Sequence, residues 1–146
     1  MTFDKFTIKA QEAIQEAVNT AQQAHQQAIE PIHLLQGIMQ KGRDVTNFVF
    51  QKLGVNTMQI ENLVQQEIQH LPRVDGGQPY FSNDANAVLQ QAVETSQKLG
   101  DEFVSIEPML LALLKVNSTV SRILKDAGVN EQEMTKAINE LRQGQK

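Results

Sequence analysis

The sequence predicts an all-α fold, a pseudo-twofold tandem repeat of two four-helix units. Three observations carry that expectation. Apolar residues recur at three- and four-residue steps along almost the whole chain, the period of an amphipathic helix. Helix-start residues alternate with glycine stops at Gly42, Gly54, Gly100 and Gly128. The composition, with 5% aromatic residues, no Trp and 20 Gln among 146 residues, suits helix surfaces better than the strands of a sandwich. A chain of this length with 40% hydrophobic residues is expected to form one domain with a real core.

The elements follow in order. Ala10, Ala13, Ile14, Ala17, Val18, Ala21 and Ala24 make one stripe of a first helix; their small size points to close approach by a neighbour. Thr7 is placed to cap its start. Pro31, preceded by Glu30, opens a second helix carrying Ile32, Leu34, Leu35, Ile38 and Met39 and stopped by Gly42. A third carries Val45, Phe48, Val49 and Leu53 up to Gly54. Asn56 with Gln59 reads as a capping box before a fourth, with Met58, Ile60, Leu63, Val64 and Ile68.

Leu71 to Ser82, with two Pro and a Gly-Gly pair, breaks the rhythm. The same grammar then repeats. Asn86 to Leu99 is a helix closed by Gly100. Glu107-Pro108 opens the next, whose run Met109 to Leu114 is apolar on all sides and so reads as a buried central helix. Ser118 caps a seventh helix, and Asn130 with Glu133 starts an eighth through Met134, Ala137, Ile138 and Leu141. Glu30-Pro31 matches Glu107-Pro108 at an offset of 77, and Leu53-Gly54-Val55-Asn56 matches Ala127-Gly128-Val129-Asn130 at 74. The expected layout is repeat one at about 1–70, a linker at 71–82 and repeat two at about 83–143, with Arg142 the first residue of a polar tail. A unit of about 70 residues holds a marginal core alone, so the halves are expected to share one.

The residues exclude more chemistry than they offer. Without Cys there is no disulfide, thiolate metal site or cysteine nucleophile. A net charge of −4 argues against duplex nucleic acid, whose phosphates need Lys and Arg. The longest apolar run, six residues, is far below the roughly 20 that span a bilayer, and MTFDKFTIKA is unlike a signal peptide; the cytoplasm is the expected compartment. No phosphate-cradling or nucleophile-elbow motif occurs. His25, His33 and His70 are scattered and read as surface or helix-end residues rather than metal ligands. Asp101, Glu102 and Glu107 cluster in one loop. A small carboxylate hydrolase built on Asp101 and Glu107 is one reading; the other has Asp101 follow the Gly100 stop while Glu107, like Glu30, caps the helix that its Pro opens.

The order FDKFT-x-KAQEA, IEPIHLL, LPRVDGG, LGDEFVSIEP and a second GVN resembles the double Clp repeat, the N-terminal domain of ClpB-type AAA+ disaggregases. The resemblance covers Met1 to about Gly144, and it implies that the polar tail from Arg142 leads into a flexible linker that starts at 144–146. ClpC repeats typically read GTEH before the apolar run, where this chain has IEPIH and SIEPM, so an adaptor-docking N-domain of a ClpC/ClpA-type protease unfoldase is the second reading.

The resemblance implies a substrate-binding module and not an enzyme. It implies exposed segments of unfolded or aggregated proteins as clients, delivered to the pore of a homohexameric ATPase ring, and a DnaK-type chaperone system as partner. No cofactor is implied for this stretch; ATP and Mg belong to ATPase modules that the sequence does not contain. Carried onto this chain, the family's substrate groove takes Thr7, Asp101 and Glu107, with Leu89, Phe103 and Pro108 for its apolar floor. Gln91 and Thr95 stand where relatives are commonly apolar, which implies a shallower or more polar groove.

Overall fold

Local signals place most of the helices where the apolar period runs. In the structure, a computed structural model that describes residues 2–144, these are α1 (Ile8–Gln23), α2 (Pro31–Lys41), α3 (Arg43–Lys52) and α4 (Thr57–His70), then α5 (Asn83–Lys98), α6 (Ile106–Lys115), α7 (Thr119–Asp126) and α8 (Glu131–Gln143). Two-residue strands β1 (Ala28–Ile29) and β2 (Tyr80–Phe81) pair in parallel. Thr7, Asn56, Ser118 and Asn130 each accept a hydrogen bond from the backbone N–H three residues on, satisfying a donor that the first turn leaves free. Ser82 does the same for Ala85, so α5 begins three residues before the expected Asn86.

The two Glu-Pro pairs are not equivalent, which corrects the offset of 77. Glu30 is the N-cap of α2 and Pro31 its first residue. In repeat two the N-cap is Ser105, so Glu107 lies inside the first turn of α6 and Pro108 is its third residue. Proline is tolerated there because the N–H it lacks would have had no intrahelical partner. The caps Thr7 and Ser82, like Glu30 and Ser105, stand 75 residues apart, and Asn56 and Asn130 stand 74 apart. Repeat two loses its one residue between α6 and α8, where its helices are also shorter.

Small side chains set the tightest crossing. Ala10, Ala13, Ala17 and Ala21 of α1 are buried, and α1 packs on α2 at Gly37, where a Cβ would overlap the carbonyl oxygen of Ala13 and crowd the amide of Ala17 at 3.2 Å. The equivalent pair, α5 and α6, brings together Ala85, Val88, Leu89, Ala92 and the wholly buried run Pro108–Leu114. Helices α2 and α6 meet at the pseudo-twofold axis, where Ile106 packs against the backbone of Gly42. Further out α3 lies on α8 and α4 on α7. One continuous core results, running from Phe6 to Ile138.

Strand pairing also crosses between the halves, and it does so twice. Tyr80 and Ser82, leading into α5, donate to the carbonyls of Gln27 and Ile29 in the α1–α2 loop. Reciprocally, the segment leading into α1 pairs with the α5–α6 loop: Thr7 N–H donates to Val104 O (2.9 Å) and Val104 N–H to Lys5 O (2.7 Å). Each repeat thus supplies the strand that closes the loop of the other.

Candidate functional site

The Phe6–Val104 bridge gathers sequence-distant residues of both repeats at a seam that reaches the surface. Gly100 ends α5 with φ +77°, a conformation costly for any side chain. The chain then turns so that Asp101 N–H donates to Ser96 O (2.9 Å). Val104 is fixed by the bridge and buried, while Glu102 and Phe103 between these ties face solvent. Phe103 is 45% exposed and Ile8, at the first position of α1, 77% exposed. Large apolar side chains left in water next to both bridged segments, Phe103 before Val104 and Ile8 at the start of α1, form a surface that an apolar segment of another protein could cover.

Two of the three clustered acids, Asp101 and Glu107, are engaged by one cation. Arg142, in the last turn of α8, donates from Nη1 and Nη2 to Oδ1 and Oδ2 of Asp101 (2.9 and 2.8 Å), from Nε to Oε1 of Glu107 (3.1 Å) and from Nη2 to Oγ of Ser105 (3.3 Å). Three of the four carboxylate oxygens of Asp101 and Glu107 are therefore occupied. The planar guanidinium suits such a bidentate contact. The bond to Asp101 holds the Arg142 proton more firmly than in a free arginine; burial opposes this, and the charge of Glu107 adds to it. The three side chains are only 15–26% exposed, which makes this more than a loose surface pair. Glu107 is thus an ion-pair partner and not the cap of α6, and Arg142 is an anchored helical residue and not the start of a polar tail. Of the rest of that expected tail, Gln143 is the last residue of α8 and Gly144 its C-cap, while Gln145 and Lys146 lie outside the described residues.

Of the six residues named from the sequence, Thr7, Asp101, Phe103 and Glu107 meet at this seam. Leu89 does not: it is fully buried between α5 and α6, so a client cannot reach it without the core opening. Pro108 is likewise buried in the first turn of α6. Thr95 is buried too, and its hydroxyl accepts from Gln91 Nε2 (3.4 Å) and Lys115 Nζ (3.3 Å); it belongs to the α5–α6 contact and not to an open floor. Two residues that matter here carry weak sequence signals. Ile8 is only the residue after the Thr7 cap, and Arg142 follows the last apolar residue, Leu141, and reads as the start of a polar tail.

At the pseudo-symmetric place in repeat one the tie is neutral. Gln26, 75 residues before Asp101, donates from Nε2 to Ile68 O of α4 (2.6 Å) and accepts at Oε1 from His33 Nε2 (2.7 Å). Nδ1 of His33 accepts from Glu30 N–H (2.9 Å), fixing the neutral tautomer. His33 is completely buried, so it is not a surface histidine, although its place as the third residue of α2 does put it at a helix end, and burial lowers its pKa to about 4. His25 and His70 do lie at helix ends.

Residues 5–127 match the family described as the Clp repeat (R) N-terminal domain. The chaperone protein ClpB of Bacteroides thetaiotaomicron is 59% identical over 146 residues, which is all of this chain and 17% of that protein. ClpB of Porphyromonas gingivalis is 44% identical over 144 residues, 99% of this chain and again 17% of the relative. The chain therefore spans 17% of the length of these curated relatives. Among solved structures, the N-terminal domain of Hsp104 from Candida albicans superposes with a TM-score of 0.80 at 24% identity, covering 95% of this chain and 92% of that one, which shows a common fold. With the two-repeat architecture, the family match over most of its length and a relative this similar from end to end, the chain belongs to the Clp repeat N-terminal domain family.

Proposed function

We propose that this chain is the substrate-engaging N-terminal domain of a ClpB-type, ATP-driven protein disaggregase. It binds exposed apolar segments of unfolded or aggregated proteins at the Phe6–Val104 seam and passes them to the pore of a homohexameric ring. The observation that carries this reading is the 59% identity to a ClpB chaperone along the entire chain, and the exposed Ile8 and Phe103 beside the seam support it. The ring's ATPase modules, with their ATP and Mg, a DnaK-type partner system and a cytoplasmic setting belong to the whole protein in this reading. Within the described residues no helix is long and apolar enough to cross a membrane.

Binding, not catalysis, is the activity assigned to the seam, because Arg142 already occupies three of the four carboxylate oxygens that a hydrolase built on Asp101 and Glu107 would use. A small apolar contact gives weak affinity once lost translational freedom is subtracted. That suits a module which must release its client, and several copies on one ring restore strength through avidity.

The test is direct. Reduced, carboxamidomethylated α-lactalbumin, a permanently unfolded polypeptide, is titrated into the isotopically labelled chain. NMR perturbations are expected at Ile8, Phe103 and their neighbours, with Ile8→Ser and Phe103→Ser each weakening binding by about three- to tenfold. Perturbations confined to surfaces of repeat one away from the seam would overturn the assignment of the site.

A further inference from the structure

We infer that Arg142 is a positioning residue for the client seam: Asp101 and Glu107 act on client binding through its guanidinium, by holding the loop that presents Phe103, and not by touching the client. The inference rests on the functional reading above and deepens it by assigning how the acidic residues contribute.

Geometry separates the two roles. The loop between α5 and α6 is held at three places: the Gly100–Asp101 turn onto α5, Val104 onto the segment before α1, and Asp101, Ser105 and Glu107 onto Arg142. Only Glu102 and Phe103, between these ties, face outward. A client cation approaching Asp101 would have to displace a bidentate guanidinium from a site where the Asp101 side chain is only 20% exposed, giving up charge-assisted bonds before making its own. The client is therefore left with Phe103 and Ile8 as contacts, and the two acids with the shape of the loop.

The comparison between repeats points the same way. Gln26 and Asp101 occupy equivalent positions, and each ties its loop to the last helix of its own repeat, through Ile68 O in one case and the Arg142 side chain in the other. The loop-to-helix tie is thus a feature of both repeats, built from a buried neutral network in the first and from a partly exposed ionic one in the second. The ionic version comes from the final turn of α8, so the order of the client loop is coupled to the end of the last helix. An ordered Phe103 loses less conformational freedom on binding than a mobile one, which is how a residue that touches no client raises affinity.

A double-mutant cycle distinguishes positioning from contact. Affinity for carboxamidomethylated α-lactalbumin is measured for the chain and for Arg142→Gln, Asp101→Asn and the double variant, with amide exchange of residues 101–105 followed without client. Positioning predicts that each single change weakens binding by about tenfold, that the double variant is no weaker than either, and that exchange in the loop accelerates in all three. Arg142→Lys, which keeps the charge and loses the fork, is expected to fall between the chain and Arg142→Gln, and it carries the test should Arg142→Gln not fold. Direct contact predicts unchanged or tighter binding for Arg142→Gln, whose freed carboxylates would face the client; that result overturns the inference and leaves the proposed function standing. If the unsubstituted chain binds no unfolded polypeptide, the functional reading falls and the inference falls with it.

Discussion

His33 has no solvent around its imidazole, and acid reaches the stability of the domain through it. The ring is held neutral between Glu30 N–H and Gln26, with burial lowering its pKa from 6.5 to about 4. Between those values the unfolded chain binds a proton that the folded chain does not. The contribution is therefore complete above pH 6.5 and is lost as pH falls toward 4, where the ring's second proton would go onto Nδ1, the nitrogen that accepts a backbone hydrogen bond. The full swing is about 3 kcal/mol. Urea unfolding at pH 7.5 and 4.5 should show that fall for the chain and a much smaller one for His33→Gln. Leu89 makes a second residue-scale case: Leu89→Ala is expected to cost about 3 kcal/mol of stability through the cavity it leaves, while the folded fraction keeps its client affinity. Neither result follows from reading the residues in line. A histidine on a helix looks the same whether solvent or the other helices surround it, and a leucine at an apolar position looks the same in a core as on a groove floor.

Helix ends show where local chemistry is enough. Thr7, Asn56, Ser118 and Asn130 are legible as caps because donor and acceptor lie three residues apart, and no distant residue is needed to form the bond. The start of α6 is not legible in this way. Glu107-Pro108 is compatible with the first or the third helical position, and the α5–α6 loop, pinned at Val104, makes Ser105 the cap. The same contrast appears at the end of α1, where His25 has φ +57° while the equivalent Gly100 has +77°. His25→Gly should raise stability by about 0.5–1 kcal/mol, read from the shift in denaturation midpoint, because glycine adopts that backbone without steric cost. Gly37→Ala should lower stability by roughly 3 kcal/mol, since the added methyl would meet the backbone of α1 at Ala13. Alanine is the better helix former, so a loss of that size would report the tight crossing and not propensity.

At the scale of the whole molecule, two reciprocal exchanges join the repeats. The lead-in to α5 closes the α1–α2 loop and the lead-in to α1 closes the α5–α6 loop, while α2 and α6 share the central core. Residues 2–144 should therefore unfold in one cooperative transition seen alike by circular dichroism and by amide exchange. Residues 2–70 and 83–144 made separately should each lack such a transition, since each half alone leaves apolar faces and strand partners uncovered. The sequence by itself determined the all-α class, the number of helices, most of their ends and the doubling of the unit. These rest on backbone donors, glycine turns and apolar period, all of which act within a few residues. Only the tertiary structure decided that Thr7, Asp101, Phe103 and Glu107 meet at one seam, that Leu89 and Pro108 lie in the core, and that Arg142 holds the acids. Those outcomes depend on which helices cross and how closely, and a crossing brings together residues that no local period connects.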